Sequence, residues 1–148
     1  MAEVETADVV AITQVVHLYG YVLDGRLWDR LPEVFTSDAV FDMSREAGTE
    51  IGGQRVDGLA AIRSAFERIE HALVHQVSNL YVFREGAEVR SLAKFVMPDA
   101  KGRLHTGEYA DVHVQTENGW RIQHRAIKER RYWTADAPWT FLDGRPWR

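Results

Sequence analysis

After His71 the chain changes its hydrophobic period, and that change limits the possible folds more than any other feature. Four runs, at about 75–83, 87–97, 103–115 and 120–133, read as strands. Only REG (84–86), PDAKG (98–102) and ENG (117–119) separate them. Connections this short join antiparallel neighbours, so the four runs make a meander. The chain before His71 reads mostly as helix. Helices followed by a long antiparallel sheet indicate an α+β domain. A sheet that curls around its helices leaves an open end, a natural place for a small molecule. The expected architecture is therefore a cone-shaped curved antiparallel sheet on three N-terminal helices, with a cavity at the open end.

The helical part centres on ITQVVHLYGYVLDGRLWDRL (12–31). Ile12, Val15, Val16, Tyr19, Val22 and Leu23 recur at helical spacing, which predicts helix 1 over 8–24 with Asp8 as its cap. Gly25 is a stop signal, and a second short helix over 27–35 carries Trp28 and Leu31. DAVFDM (38–43) alternates as a short strand, and 44–56 reads as a polar loop or short hairpin. Asp57 then caps helix 3 at 58–70, whose apolar face is Leu59, Ile62, Ala65, Phe66 and Ile69. Asp24 continues the apolar stripe of helix 1. An ionised side chain in that position needs a partner or a job, and His75 is the candidate partner.

Composition sets the remaining bounds. The 148 residues, 45% hydrophobic, suit one domain over 1–148 with a real core. The net charge of −4 and absence of a basic stripe argue against nucleic acid as a partner. With no cysteine there is no disulfide, thiolate metal site or cysteine nucleophile. The acidic start MAEVETAD lacks the basic region of a signal peptide, and no apolar run approaches a membrane span. A cytoplasmic protein without a membrane partner is the default expectation.

Taken in order, Tyr19…Leu23-Asp24, Trp28-Asp29, VFTSDAVFDM, HQVSNLYV and GEYADVHVQTENGWRIQHR resemble the SnoaL-like branch of the nuclear-transport-factor-2-like superfamily. That branch includes scytalone dehydratase, bile-acid 7α-dehydratase and hexachlorocyclohexane dehydrochlorinase. The resemblance spans nearly the whole chain and implies an α+β cone with an internal cavity. It implies an Asp–His dyad at Asp24 and His75, a functional tyrosine at Tyr19 and a functional arginine at Arg125. One position departs: where the two dehydratases carry an active-site tyrosine, this chain has Met43.

The chemistry of such a dyad can be stated independently of the family. A carboxylate bonded to one ring nitrogen fixes the histidine tautomer and stabilises the imidazolium formed when the other nitrogen takes a proton. His75 would then be a general base for elimination, isomerisation or ring closure. A phenol (Tyr19) and a guanidinium (Arg125) can hold a departing oxygen or an enolate. This chemistry needs no cofactor and no metal. Trp28, Phe41, Met43, Tyr109 and His105 are the candidate substrate-binding residues. His105, Tyr109 and His113 share a strand face, yet no carboxylate constellation marks a metal site there.

Each residue also has a structural reading. Asp24 could serve a helix end, His75 and Tyr19 could be core, and Arg125 falls opposite the phase of Trp120, Ile122 and His124. Two functions remain: a cofactor-independent lyase or isomerase acting on a hydrophobic oxygenated ring compound, or a non-catalytic binding or assembly module. Dioxygenase β subunits exemplify the second, and fold alone does not choose between them. A homo-oligomer, dimer or trimer, is expected from the broad sheet face and from Tyr132, Trp133, Trp139 and Trp147 near the chain end. The aromatic, proline-bearing tail 134–148 is a candidate lid over the cavity mouth.

Overall fold

The structure is a computed structural model that describes residues 3–44, 53–130 and 142. The tail 134–148, Leu142 apart, lies outside the described residues, as do Tyr132 and Trp133. The expectations of a lid and of an aromatic interface therefore fall there.

Helix α1 (Thr6–Asp24) buries Ile12, Val15, Val16, Tyr19, Val22 and Leu23, the stripe that the spacing marks out. It starts before Asp8, so Asp8 does not cap it. Its carboxylate instead accepts a bond from Trp120 Nε1 at 2.9 Å, tying the start of α1 to a strand 112 residues later. By length and composition α1 could cross a membrane, contrary to the sequence expectation. In this fold its apolar stripe packs on the sheet.

The end of α1 positions Asp24. Leu27 N–H bonds Val22 O at 2.8 Å and Arg26 N–H bonds Leu23 O at 3.1 Å. These are the paired bonds of a Schellman stop. The left-handed residue is Arg26 (φ 51°), not Gly25. Gly25 serves by its size, because a Cβ there would lie 3.0 Å from Leu27 Cγ and 3.1 Å from Tyr21 O.

The second helix is a short 3-10 segment, Trp28–Glu33, with Pro32 inside it. Proline removes an N–H donor, so an α-helix through 35 is disfavoured. Phe35 opens β1 (Phe35–Asp42) instead, and β2 (Arg55–Asp57) pairs antiparallel with it. The flanks of the 44–56 stretch therefore form a hairpin. Asp57 belongs to β2, and Gly58, at φ 90°, precedes α2 (Leu59–Arg68).

Strands β3 (Gln76–Glu85), β4 (Glu88–Pro98), β5 (Leu104–Thr116) and β6 (Gly119–Arg130) form the expected meander. The six-stranded order is β2-β1-β6-β5-β4-β3, an open curved sheet in which β1 runs parallel to β6. That one parallel pairing joins residues far apart in the chain and has no local signal. Two irregularities bend the strands. Between Ser78 and Tyr81 the β3–β4 register slips at Asn79 (φ 52°), and between Val112 and His113 the β5–β6 register skips Gln123.

The inner sheet face meets α1, the 3-10 segment and α2 in one apolar cluster containing Tyr19, Leu31, Phe35, Phe41, Phe66, Phe95 and Tyr109. Each large side chain fully buried there contributes about 1.5–3 kcal/mol. The outer face carries a smaller cluster of Phe83, Leu92, Ala110 and Ala126.

Candidate active site

Asp24 ends α1 and His75 immediately precedes β3, and the two meet. His75 Nδ1 lies 2.6 Å from Asp24 Oδ1, and His75 backbone N–H bonds the same carboxylate at 3.0 and 3.2 Å. A carboxylate only accepts, so Nδ1 carries the proton and the lone pair of the neutral ring sits on Nε2. The ring is nearly buried (6% exposed) while Asp24 keeps 27% exposure. Burial lowers the His75 pKa below the ordinary histidine value, partly offset by Asp24. That shift favours the neutral, basic form of His75.

Gly20 makes this contact possible. A Cβ at Gly20 would fall 2.8 Å from the His75 carbonyl oxygen and 3.5 Å from His75 Cβ. Alanine gains about 1 kcal/mol over glycine inside a helix, whereas overpacking costs about 1–3 kcal/mol. Gly20→Ala should therefore destabilise the fold and reduce turnover by displacing α1 from His75. Denaturant unfolding that shows a net gain in stability would show that the close approach is not tight.

Behind His75 stands an aromatic and charged layer. The Tyr19 ring meets His75 edge-on at 5.7 Å, Tyr109 at 5.7 Å and Phe35 at 6.0 Å. The Arg125 guanidinium carbon sits 4.1 Å from the Tyr19 ring centre and 4.2 Å from that of Tyr109. Arg125 donates from Nε and Nη2 to the two Asp111 oxygens at 2.8 and 2.7 Å. Burial opposes its charge, but Asp111 outweighs that and holds it above the ordinary value. Its Nη1 is buried with no hydrogen-bond partner among the described residues. Burial pushes the Tyr19 phenol up to about 12, so it stays protonated and able to donate.

The strand phase of Trp120 and Ile122 predicts Arg125 on the outer face, and the Gln123 bulge reverses this. With one extra residue in β6, Ile122 and Ile127 both reach the inner cluster, and Arg125 joins them. Asp111 carries no motif of its own. Its inward parity with Tyr109 on β5, opposite Arg125, is the signal that identifies it.

The remaining candidates divide. Trp28 packs 5.3 Å from the His71 ring and 6.2 Å from Phe66, and Phe41 packs on Phe35 and Phe66. Met43 leans on the same apolar cluster, and Tyr109 stacks on Phe95 at 4.6 Å. His105 stands apart from the dyad. A cleft of about 320 Å³ opens between α1 and the start of β3, lined by His17, Gly20, Tyr21, Asp24, Val74 and His75 among others. Both dyad residues thus border solvent-accessible space.

His105 bonds Glu129 Oε1 from Nδ1 at 2.7 Å and Asp99 Oδ2 from Nε2 at 3.1 Å. Two carboxylate acceptors demand two ring protons, and the Asp99 bond, with Glu129 adding to it, raises the His105 pKa. The clip therefore stabilises the fold below the unfolded histidine pKa near 6.5 and is lost as pH rises through the higher folded value. Thermal midpoints of wild type minus His105→Gln should shrink across that window. A difference that stays constant with pH would contradict the clip. Among the described residues no group of three His, Asp or Glu side chains is arranged to hold a metal ion.

Comparison with curated proteins gives no match. Solved structures do match. A candidate aromatic ring hydroxylase from Novosphingobium aromaticivorans is 29% identical, over 84% of this chain and 90% of that one, with a TM-score of 0.66. A candidate scytalone dehydratase from the same organism is 21% identical over 84% and 85%, with a TM-score of 0.63. A cystatin-like-fold protein of unknown function from Nostoc punctiforme is 15% identical over 88% and 97%, with a TM-score of 0.72. The SnoaL-like domain family matches residues 4–126, covering the helices, the dyad and the Asp111–Arg125 pair; the chain belongs to that family.

Proposed function

We propose that the chain is a cofactor-independent lyase or isomerase of the dehydratase or cyclase type. It removes a proton from a hydrophobic, oxygenated ring substrate such as a polyketide, aromatic or steroid. The observation that carries this reading is the 2.6 Å Asp24–His75 contact beside open space. His75 Nε2 takes the proton, Asp24 steadies the imidazolium, and Tyr19 with Arg125 stabilises the oxygen on which charge develops. Trp28, Phe41, Met43 and Tyr109 pack in the inner apolar cluster rather than along the cleft, and would form the apolar wall for a substrate held on the inner side of His75. Met43 offers a weak acceptor where a phenol would donate, which favours a substrate or outcome different from that of the two dehydratases. The protein acts in the cytoplasm as a dimer or trimer.

The test is hydrogen–deuterium exchange next to a carbonyl, with loss of water followed by absorbance, on a panel of aryl β-hydroxy ketones. Wild type should catalyse exchange and His75→Ala should not. Equal exchange by both proteins would sink the reading and favour a non-catalytic binding or assembly module.

A further inference from the structure

The connection between α2 and β3 brings a second imidazole to the dyad. His71 Nε2 lies 2.7 Å from the Phe66 carbonyl oxygen in the last turn of α2. A carbonyl only accepts, so Nε2 carries a proton and Nδ1 is the nitrogen left free of this anchor. The ring is held on its sides by Trp28 at 5.3 Å and Phe66 at 6.0 Å. The backbone beneath is pinned where Leu73 N–H bonds Pro98 O at 2.8 Å.

The His71 and His75 ring centres are 6.4 Å apart, with planes at 53°. A direct bond between two imidazoles needs centres at about 5 Å, so the two rings are neighbours that do not bond each other. Their tautomers are set by different anchors, Phe66 O and the Asp24 carboxylate. The nitrogens these anchors leave free are therefore Nδ1 on His71 and Nε2 on His75.

We propose that His71 is the acid partner of His75: it delivers a proton from Nδ1 to the oxygen leaving the substrate. This rests on the reading of His75 as the base. In the step, His75 Nε2 takes a proton from carbon, and the C–H pair becomes the new C=C bond. The C–O bond breaks, and its oxygen takes the His71 proton and departs as water. The His75 imidazolium then returns one proton to His71 through water, which restores both rings. The substrate class is thus a β-hydroxy carbonyl compound, with a hydroxyl between the two rings.

Two measurements on the full chain test this. In nitrogen-15 histidine NMR, the groups facing His75 are Asp24 and Tyr19 from α1, His71, and Arg125 from β6. Removing His71 takes away a like charge, so His71→Gln and His71→Phe should both raise the His75 midpoint. An unmoved midpoint in both variants overturns the pair. In the second, the aldol adduct of acetone and benzaldehyde is the probe. A general acid contributes about 10²–10⁴-fold, so the ratio of elimination to exchange should fall at least about 10²-fold in His71→Phe. His75→Ala should lose both reactions together. An unchanged ratio in His71→Phe overturns the acid role. If His75→Ala instead matches wild type in both, the reading of His75 as base has failed.

Discussion

Replacing His75 with alanine is expected to remove nearly all proton abstraction, and Asp24→Asn most of it. General base catalysis accounts for about 10²–10⁴-fold, and a carboxylate that only orients the base can be worth as much, because without it the wrong tautomer forms. Asparagine can turn its amide N–H toward Nδ1, which would move the ring proton to Nε2 and block the base. If both residues serve one transfer, the double variant should be little worse than either single one. The pH profile carries a signed signature. Burial holds the His75 pKa below the ordinary value, so proton exchange, the step His75 carries alone, falls as pH drops below about 6.5, through the folded pKa. The Asp24 bond raises that pKa, so residual activity in Asp24→Asn should persist to lower pH. Folding should survive, since Asp24 is partly exposed and Asn can still accept the His75 backbone N–H, a bond worth about 1 kcal/mol. A His75→Ala variant with wild-type turnover would end the dyad argument.

Why the stripe leading to Asp24 is legible in the sequence while the inward side of Arg125 is not follows from where each signal lives. The stripe from Ile12 to Leu23 is local periodicity, and its C-terminal extension singles out Asp24, which the structure leaves partly exposed at the end of that stripe. The meander shows in short turns between alternating runs. Arg125 depends on a bulge at Gln123, and one extra residue reverses every later side chain. Nothing in WRIQHR announces that slip, which comes from pairing with β5 and from the room the Tyr19 and Tyr109 rings make for a guanidinium. Asp8 shows the same limit: its position suits a cap, yet its partner is Trp120. The parallel β1–β6 pairing is equally non-local. His71 was hidden differently, because its role depends on the Phe66 carbonyl and on Trp28, neither within reach of a motif.

Breaking the Asp111–Arg125 pair should give the largest loss of stability of any single change in the site. Both side chains are essentially solvent-free, at 1% and 0% exposure, and bonded through two parallel contacts. Arg125→Met strands a buried carboxylate and Asp111→Leu strands a buried guanidinium. Each should cost about 3–5 kcal/mol, against a typical total of about 5–15 kcal/mol. The double variant Asp111→Leu/Arg125→Met removes both charges and fills the space with apolar atoms. It should be near wild type or more stable, because desolvating two ions offsets much of their attraction. Denaturant midpoints of the four proteins form a cycle whose coupling term measures the pair. The same four proteins separate stability from function. The buried Nη1 has no partner among the described residues, and such a donor is costly unless another group, such as a substrate oxygen, meets it. The double variant should therefore fold well and still turn over poorly. Single variants within about 1 kcal/mol of wild type would mean that water reaches the guanidinium, and a fully active double variant would remove Arg125 from the chemistry.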